Sequence, residues 1–262
     1  MKEDKIINKI LNLKSYRPSI RVNRLFSELV NAVQSNNVNV DLVDQHLLVK
    51  INEACSRAEF ELEKYWSNRI FRSTQPIIEI EEFPYYRNYR DLANLEYALF
   101  NSCTSHGRKH NLLFVGGGPL PMTSIILYKL KKINSTIIEY DAIAVKKSRQ
   151  LLKKMGLDKK ISVVEVDALK FDQYAKFNLI YFAALVGKDD ESKVKILNNI
   201  RNQIGSDVHV LLRGSWGNRR LLYNNLSLEA IKNAGFKIIT ETHPHNDIIN
   251  SIYLIKKNDK NT

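Results

Sequence analysis

Residues 113–121 have the sequence Leu-Phe-Val-Gly-Gly-Gly-Pro-Leu-Pro, in which a short apolar run leads into three consecutive glycines. The run predicts a buried strand, and the segment after the glycines has the apolar spacing of a helix. Glycines in such a turn let the backbone approach a ligand closely, and the helix start offers free N–H groups. This stretch therefore predicts a nucleotide-like cofactor. Pro121 occupies the third glycine position of the dinucleotide fingerprint G-x-G-x-x-G, which disfavours a pyrophosphate cradle of the usual kind.

Downstream of these glycines, short apolar runs alternate with amphipathic segments. Strands are predicted at 112–115, 136–138, 162–166, 179–183, 208–212, 237–240 and 251–255. Helices are predicted at 121–130, 143–155, 192–204 and 226–234. This alternation predicts a mostly parallel sheet covered on both faces, closed by an antiparallel pair formed by the last two strands.

Acidic residues follow the second and third predicted strands. Asp141, in the run Glu139-Tyr140-Asp141, lies about 20 residues beyond the glycines, where a carboxylate can accept hydrogen bonds from ribose hydroxyls. Asp167 ends the third strand, where it can meet an adenine amino group. Each acid alone is equally well explained as a helix cap. Together with the glycine turn they favour an adenosine site for a cofactor without phosphates.

The N-terminal part of the chain has mostly helical apolar spacing. It predicts an all-helical domain at 1–105, followed by a second domain at 106–262. A capped helix start is expected at Asp41, with a long helix running to Trp66. Pro76 and Pro84 bound a predicted loop, and a further helix is expected at 88–100.

The charge of the chain is unevenly distributed. The 262 residues include 40 Lys and Arg against 28 Asp and Glu, a formal net charge of +12. Residues 1–105 hold 14 basic and 14 acidic residues, whereas residues 106–262 hold 26 and 14. A basic balance raises the question of nucleic-acid binding. Since neither a recognition-helix motif nor an aromatic and basic strand typical of RNA-binding modules is present, the excess is interpreted as a solvated exterior and no nucleic-acid partner is expected.

The sequence gives no indication of a membrane-spanning segment, a disulfide framework or a metal site. The longest apolar stretch is far shorter than the roughly 20 residues that span a bilayer, and the first residues lack a signal-peptide pattern, so we expect a cytoplasmic protein without a membrane partner. Cys55 and Cys103 form no motif with metal-ligand spacing. His243 and His245 lie near one proline without a third ligand and are interpreted as loop residues, so no metal is expected.

Several motifs, in the same order over roughly residues 42–256, resemble those of the nicotianamine synthase family. They are the glycine-rich segment 115–124, Phe-Pro-Tyr-Tyr-Arg-Asn-Tyr at 83–89, Ala-Ala-Leu-Val-Gly-Lys-Asp at 183–189, Leu-Arg at 212–213 with 217–223, and His-Pro at 243–244 with 249–251. The resemblance is closest in kind to bacterial opine-metallophore aminobutanoyltransferases of the staphylopine synthase type.

The resemblance implies a Rossmann-like class I S-adenosylmethionine-binding domain. It also implies transfer of a 2-aminobutanoate (3-amino-3-carboxypropyl) group from S-adenosylmethionine to the amine of an amino acid, with release of methylthioadenosine. D-Histidine is the expected acceptor, in biosynthesis of a staphylopine-like metallophore, because the short chain, rich in Lys, Asn and Ile, looks bacterial. The alternative is a nicotianamine synthase that condenses several S-adenosylmethionine molecules. Alternatives of other classes are a methyltransferase and a non-catalytic nucleic-acid-binding protein, and a homodimer is compatible with the sequence.

This transfer requires a base, because the attacking amine must be neutral although an α-amino group is largely protonated near pH 7. The resemblance assigns catalysis to Glu63, in a helical Leu-Glu pair, and to Tyr89, whereas periodicity alone favours an exposed helix position for Glu63. Tyr85 and Arg213 are the predicted substrate-binding residues, the arginine through a bidentate fork to a carboxylate. The predicted cofactor-binding residues are Gly116, Gly117, Gly118, Pro119, Leu120, Thr123, Ser124, Asp141, Asp167 and Ala183.

Overall fold

The computed structural model describes residues 2–104 and 110–258. The part before the sheet consists of α1 (Lys2–Leu11), α2 (Ile20–Gln34), α3 (Gln45–Arg72), α4 (Pro76–Glu79) and α5 (Tyr86–Ser102). Strands and helices then alternate as β1 (Leu112–Val115), α6 (Met122–Lys131), β2 (Ser135–Glu139), α7 (Ala142–Lys154), β3 (Ile161–Glu165), β4 (Leu179–Phe182), α8 (Asp190–Gln203), β5 (His209–Gly214), α9 (Leu228–Asn233), β6 (Phe236–Thr242) and β7 (Ser251–Lys257). The predicted boundary at 105/106 lies outside the described residues.

The strands form one seven-stranded sheet in the order β3-β2-β1-β4-β5-β7-β6. Pairing is parallel from β3 through β5, while β7 runs antiparallel to both β5 and β6. The predicted α/β, Rossmann-like architecture with an antiparallel closing pair is thus confirmed. Because the chain leaves β1 towards β2 on one side and β4 lies on the other, a crevice opens at the carboxyl ends of these strands, where such sheets bind ligands.

Both faces of the sheet are buried, as expected for parallel strands between helices. Leu113 and Val115 contribute to a core that includes Leu197 of α8 and Ile231 of α9. On the opposite face, Phe114 belongs to a core that includes Ile125 of α6 and Trp66 of α3. The two cores follow from the alternation of side chains along β1.

The helical part is attached to the loops at the carboxyl edge of the sheet. A third core joins side chains of α1, α2 and α3, including Ile51, to Leu221 after β5 and Ile249 before β7. Helix α3 therefore extends from this core at Ile51 to the sheet core at Trp66. Its middle turns, which carry Glu59 and Glu63, lie in between, over the crevice.

Local differences from the predicted elements have simple causes. Helix α3 is capped by Asp44, which accepts hydrogen bonds from the N–H groups of His46 (2.9 Å) and Leu47 (3.2 Å), whereas Asp41 lies in a 3₁₀ turn. The predicted loop between the two prolines contains α4, which begins at Pro76 as prolines favour. None of the helices in the described ranges combines the length and apolar character needed to cross a bilayer.

Candidate active site

A cavity of about 1110 Å³ lies at the carboxyl ends of the parallel strands, beneath the middle of α3. Its walls are formed by the glycine turn, the segments that follow β2, β3 and β4, and the connection between α1 and α2. This volume slightly exceeds that of typical small-molecule sites, which enclose roughly 300–1000 Å³. The cavity therefore has room for more than one reactant, at the position that the sheet topology predicts.

The glycine turn brings the sheet against α3. Gly116 (φ +83°) and Gly118 (φ +62°) adopt left-handed backbone conformations that disfavour other residues. A Cβ atom at Gly116 would overlap Val186, and one at Gly118 would overlap the Glu63 carboxylate. Glycine at 118 is therefore what allows the predicted catalytic acid to lie directly on the turn.

Glu139, at the end of β2, holds this turn from below. Its Oε2 accepts a hydrogen bond from the Gly118 N–H (2.9 Å), and its Oε1 accepts from the N–H groups of Tyr140 (2.9 Å) and Asp141 (3.0 Å). Asp141 lines the cavity, but its Oδ1 caps α7 through the Ala144 N–H (2.7 Å). The acid that binds the glycine turn is thus Glu139, whereas Asp141 caps α7 through Oδ1 and lines the cavity, so its contact with ribose stays a prediction.

Asp167 also lines the cavity, and its side chain accepts a hydrogen bond from a nearby backbone N–H group. Its Oδ1 accepts from the Leu169 N–H (2.8 Å), and the side chain is largely exposed. Gly116, Gly117, Gly118, Leu120, Thr123, Ser124 and Ala183 line the cavity as predicted for the cofactor site, but Pro119 does not.

Glu63 and Tyr89, the two predicted catalytic residues, are brought together by α3 and α5. The Tyr89 hydroxyl lies 3.3 Å from Glu63 Oε1 and 3.2 Å from Glu59 Oε1. Tyr223, after β5, donates to Glu59 Oε2 at 3.0 Å. We call these four side chains, Glu59, Glu63, Tyr89 and Tyr223, the acid–tyrosine chain. All four line the large cavity.

Burial dominates the electrostatics of the acid–tyrosine chain and disfavours the charged forms of its two acids. Burial raises the pKa of Glu63 well above its usual range, and the neighbouring charges of Glu59 and Glu139 raise it further. Burial also raises the pKa of Glu59, although hydrogen bonds from Tyr223 and Tyr89 oppose this shift. Desolvation likewise raises the pKa of the Tyr89 phenol well above its ordinary value. A cation in the cavity would reverse this bias, because it stabilises the carboxylate form.

Arg213 is engaged within the protein. Its Nε and Nη2 donate to the two Glu96 oxygens at 2.6 and 2.8 Å, and Nη2 also donates to Thr123 Oγ1 at 2.9 Å. Both members of this ion pair are buried. The predicted fork to a substrate carboxylate is therefore formed with Glu96, so Arg213 acts as a support of the cavity wall.

Tyr85 lies outside the large cavity. It lines a smaller cavity of about 160 Å³ on the other side of Tyr89, and its ring packs against Phe83 with centroids 5.9 Å apart. Burial raises the pKa of its phenol to about 12. Tyr85 is thus separated from the predicted cofactor residues, which line the large cavity, because Tyr85 lines the smaller cavity instead.

The sequence prediction missed three residues of this site. Glu59 precedes Glu63 by one helical turn and so shares its face, a signal that was present in the spacing. Glu139 was passed over for Asp141 although both follow the same strand. Tyr223 ends the family-like segment 217–223, but only the tertiary fold brings it to α3. Within the described ranges no group of three or more His, Cys, Asp or Glu side chains is arranged to hold a metal ion.

Comparison with known proteins identifies the family. A sequence model described as "Nicotianamine synthase protein" matches residues 2–262. The chain belongs to the nicotianamine synthase family. Nicotianamine synthase 2 of Arabidopsis thaliana is 32% identical over 267 residues, which cover 96% of this chain and 81% of the relative. Nicotianamine synthase 1 of the same plant is 32% identical over 268 residues, covering 96% and 82%.

Solved structures agree with this assignment at the level of the fold. The structure of MtNAS in complex with MTA and tNA superposes with a TM-score of 0.86 at 22% identity, covering 98% of this chain and 97% of that one. Mitomycin 7-O-methyltransferase MmcR shares the fold more distantly, with a TM-score of 0.53 at 12% identity over 87% of this chain and 75% of that one. The sheet and the helical part of this nicotianamine synthase family member thus occur together in a solved protein.

The family assignment corrects the expected reaction. The prediction of a staphylopine-type enzyme acting on D-histidine is wrong, because the matching family and the curated relatives are nicotianamine synthases. The composition of a short chain rich in Lys, Asn and Ile does not determine the acceptor. The stated alternative, a nicotianamine synthase, agrees with these findings.

Proposed function

We propose that this protein is a nicotianamine synthase, which condenses several S-adenosylmethionine molecules by transferring their aminobutanoate groups. The observation that carries the proposal is the family match over residues 2–262 together with relatives named nicotianamine synthase at 32% identity. S-Adenosylmethionine is the donor in this proposal, in keeping with a structural neighbour described as MtNAS in complex with that molecule.

The cavity suits the charges of these reactants. The sulfonium of the donor and the ammonium of an unreacted amine are both cations, and Glu59, Glu63 and Glu139 line the same cavity. In this proposal the adenosine part lies along the glycine turn, and the aminobutanoate arm points to the acid–tyrosine chain. All three carbons on a sulfonium are activated alike, so the orientation of the arm decides which one reacts. The large volume supports a donor and a growing product held side by side.

Glu63 and Tyr89 have separate roles in the proposed transfer. Glu63 removes a proton from the attacking ammonium, and the neutral nitrogen then forms a bond to the methylene carbon of the arm. The carbon–sulfur bond breaks and its electron pair remains on sulfur, which yields neutral methylthioadenosine. Tyr89, at 3.3 Å from Glu63 Oε1, orients the carboxyl group and the amine.

The test is incubation of the purified chain with S-adenosylmethionine alone, followed by mass spectrometry of the products and chromatography of the spent donor. We expect nicotianamine, with more than one methylthioadenosine released per product. Formation of S-adenosylhomocysteine in place of methylthioadenosine would show methyl transfer and overturn the proposal. So would the absence of nicotianamine from a folded enzyme that binds the donor.

A further inference from the structure

The Tyr89 hydroxyl links the two acids of the acid–tyrosine chain. The Tyr89 hydroxyl has a single proton, yet it lies within hydrogen-bond distance of two carboxyl groups, those of Glu59 (3.2 Å) and Glu63 (3.3 Å). A hydroxyl can donate only once, so the second contact is a hydrogen bond only if one carboxyl is protonated and donates to the phenol oxygen. Tyr223 already donates to the other oxygen of Glu59 at 3.0 Å. When one of the two carboxyls is protonated, both contacts of Tyr89 are hydrogen bonds and one proton is shared between Glu59 and Glu63.

This shared proton has two balanced positions. In the first, Glu63 carries it and donates to Tyr89, which donates to the Glu59 carboxylate. In the second, the Glu63 proton has moved to the Tyr89 oxygen while the original Tyr89 proton has moved to Glu59. Exchange between the two requires no movement of heavy atoms beyond hydrogen-bond tightening, which is common when a catalytic site fills.

Glu59 is the residue suited to receive this proton. Each Glu139 oxygen already accepts from backbone N–H groups, and the Arg213 guanidinium is paired with Glu96. Among the cavity acids of the described chain, Glu59 and Glu63 are the ones that contact Tyr89. The titratable and charged groups that interact electrostatically with the Glu59 carboxyl come from three parts of the chain. Cys55 and Glu63 lie on the same helix, Tyr85 precedes α5 and Tyr89 lies in it, and Arg213 belongs to β5 while Tyr223 follows that strand.

From this geometry we infer that Glu59 returns Glu63 to its carboxylate form between successive transfers by accepting the Glu63 proton through Tyr89. The inference rests on the proposed function. Each carbon–nitrogen bond formed leaves one N–H proton on Glu63. That proton moves to the Tyr89 oxygen, the Tyr89 proton moves to Glu59, and Glu59 releases it to water in the cavity. Glu63 is then a carboxylate again, ready for the next amine. Because Glu59 acts through Tyr89, it is a positioning residue and not a catalytic one.

The test compares the first turnover with the steady state. Glu59→Gln retains the shape and a hydrogen-bond acceptor for Tyr89 but cannot take a proton. Rapid-quench measurement follows the release of methylthioadenosine. For the first turnover, meaning the first methylthioadenosine released per enzyme, we expect a rate within about twofold of wild type. The steady-state rate of release should be about 10- to 100-fold lower than in wild type, within the usual range of acid–base effects. Glu53→Gln, an exposed position on the same helix, is the matched control and is expected to match wild type.

The pH profile provides a readout that a merely structural role would not change. Since the Glu59 charge raises the pKa of Glu63, Glu59→Gln should shift the acid limb of the rate profile to lower pH. Equal loss of first turnover and steady state, or an unchanged steady-state rate, would overturn the relay. If Glu59→Gln does not fold, Glu59→Asp takes its place, with a retained first turnover and an intermediate steady-state rate expected. If wild type forms no nicotianamine, it is the proposed function that fails, and not the relay alone.

Discussion

Two groups of acids lie in or next to the cavity, and their charges are compensated in different ways. Glu96 is fully buried and forms a bidentate pair with Arg213, whose remaining contact is Thr123. Glu59 and Glu63 are surrounded by tyrosines, a backbone N–H and each other, with Arg213 acting only from a distance. Glu96 has its countercharge in direct contact, whereas no Lys or Arg in the described part of the chain forms an ion pair with Glu59 or Glu63.

This difference separates support from chemistry. A buried ion pair with satisfied hydrogen bonds fixes the positions of α5, α6 and β5 around the cavity. Two uncompensated acids cost stability, and such a cost is typical of functional sites that await a ligand charge.

Removing the charge of Glu63 has the largest expected effect. Glu63→Gln should lower the rate of methylthioadenosine release by about 10²- to 10⁴-fold, because the shape is retained and the base is lost. The affinity for S-adenosylmethionine, measured by calorimetry, should change little. Glu53→Gln is the control on the same helix. Wild-type turnover in Glu63→Gln would remove this residue from the mechanism.

Breaking the compensated pair should instead affect stability. Arg213→Met leaves the Glu96 charge buried and unpaired, which we expect to lower the free energy of unfolding by about 3–5 kcal/mol in urea titrations. The double variant Arg213→Met/Glu96→Leu should regain most of this loss because it removes both charges. A stable Arg213→Met enzyme with a selectively raised KM would show that the arginine binds substrate after all, as the sequence suggested.

The raised pKa of Glu63 also predicts how stability depends on pH. A carboxyl with a raised pKa in the folded state keeps its proton above the unfolded value of about 4.3, so the folded protein binds more protons there. Stability should therefore fall as pH increases from about 4.3 towards the raised pKa, by up to about 1.4 kcal/mol per pH unit for each carboxyl. Thermal unfolding from pH 5 to 8 should show a smaller decline for Glu63→Gln. Parallel curves would indicate that Glu63 is not the group responsible.

The fold was largely predictable because its signals are local. Apolar runs located each strand within a few residues, and the glycine turn identified the edge of the sheet that binds ligands. In the site, Glu63 and Tyr89 were located through motifs: they are 26 positions apart on different helices, and the tertiary fold brings them into direct contact. The partnership of Arg213 with Glu96 joins residues 117 positions apart, and no spacing rule predicts such a pair.

Asp141 shows that the position of a residue in the sequence can fit two roles equally well. An acid after a strand and before a helix fits both a ribose contact and a helix cap, and the structure shows the cap, with the Ala144 N–H donating to Oδ1 at 2.7 Å. Asp141→Ala should cost about 0.5–2 kcal/mol of stability, whereas Asp141→Asn should cost little, since asparagine caps helices as well as aspartate. Urea titration and donor calorimetry on both variants separate the roles. If Asp141→Asn keeps full stability but binds S-adenosylmethionine several-fold more weakly, its free carboxylate oxygen contacts the donor; unchanged affinity would leave Glu139 as the acid of the β2 edge beside the glycine turn.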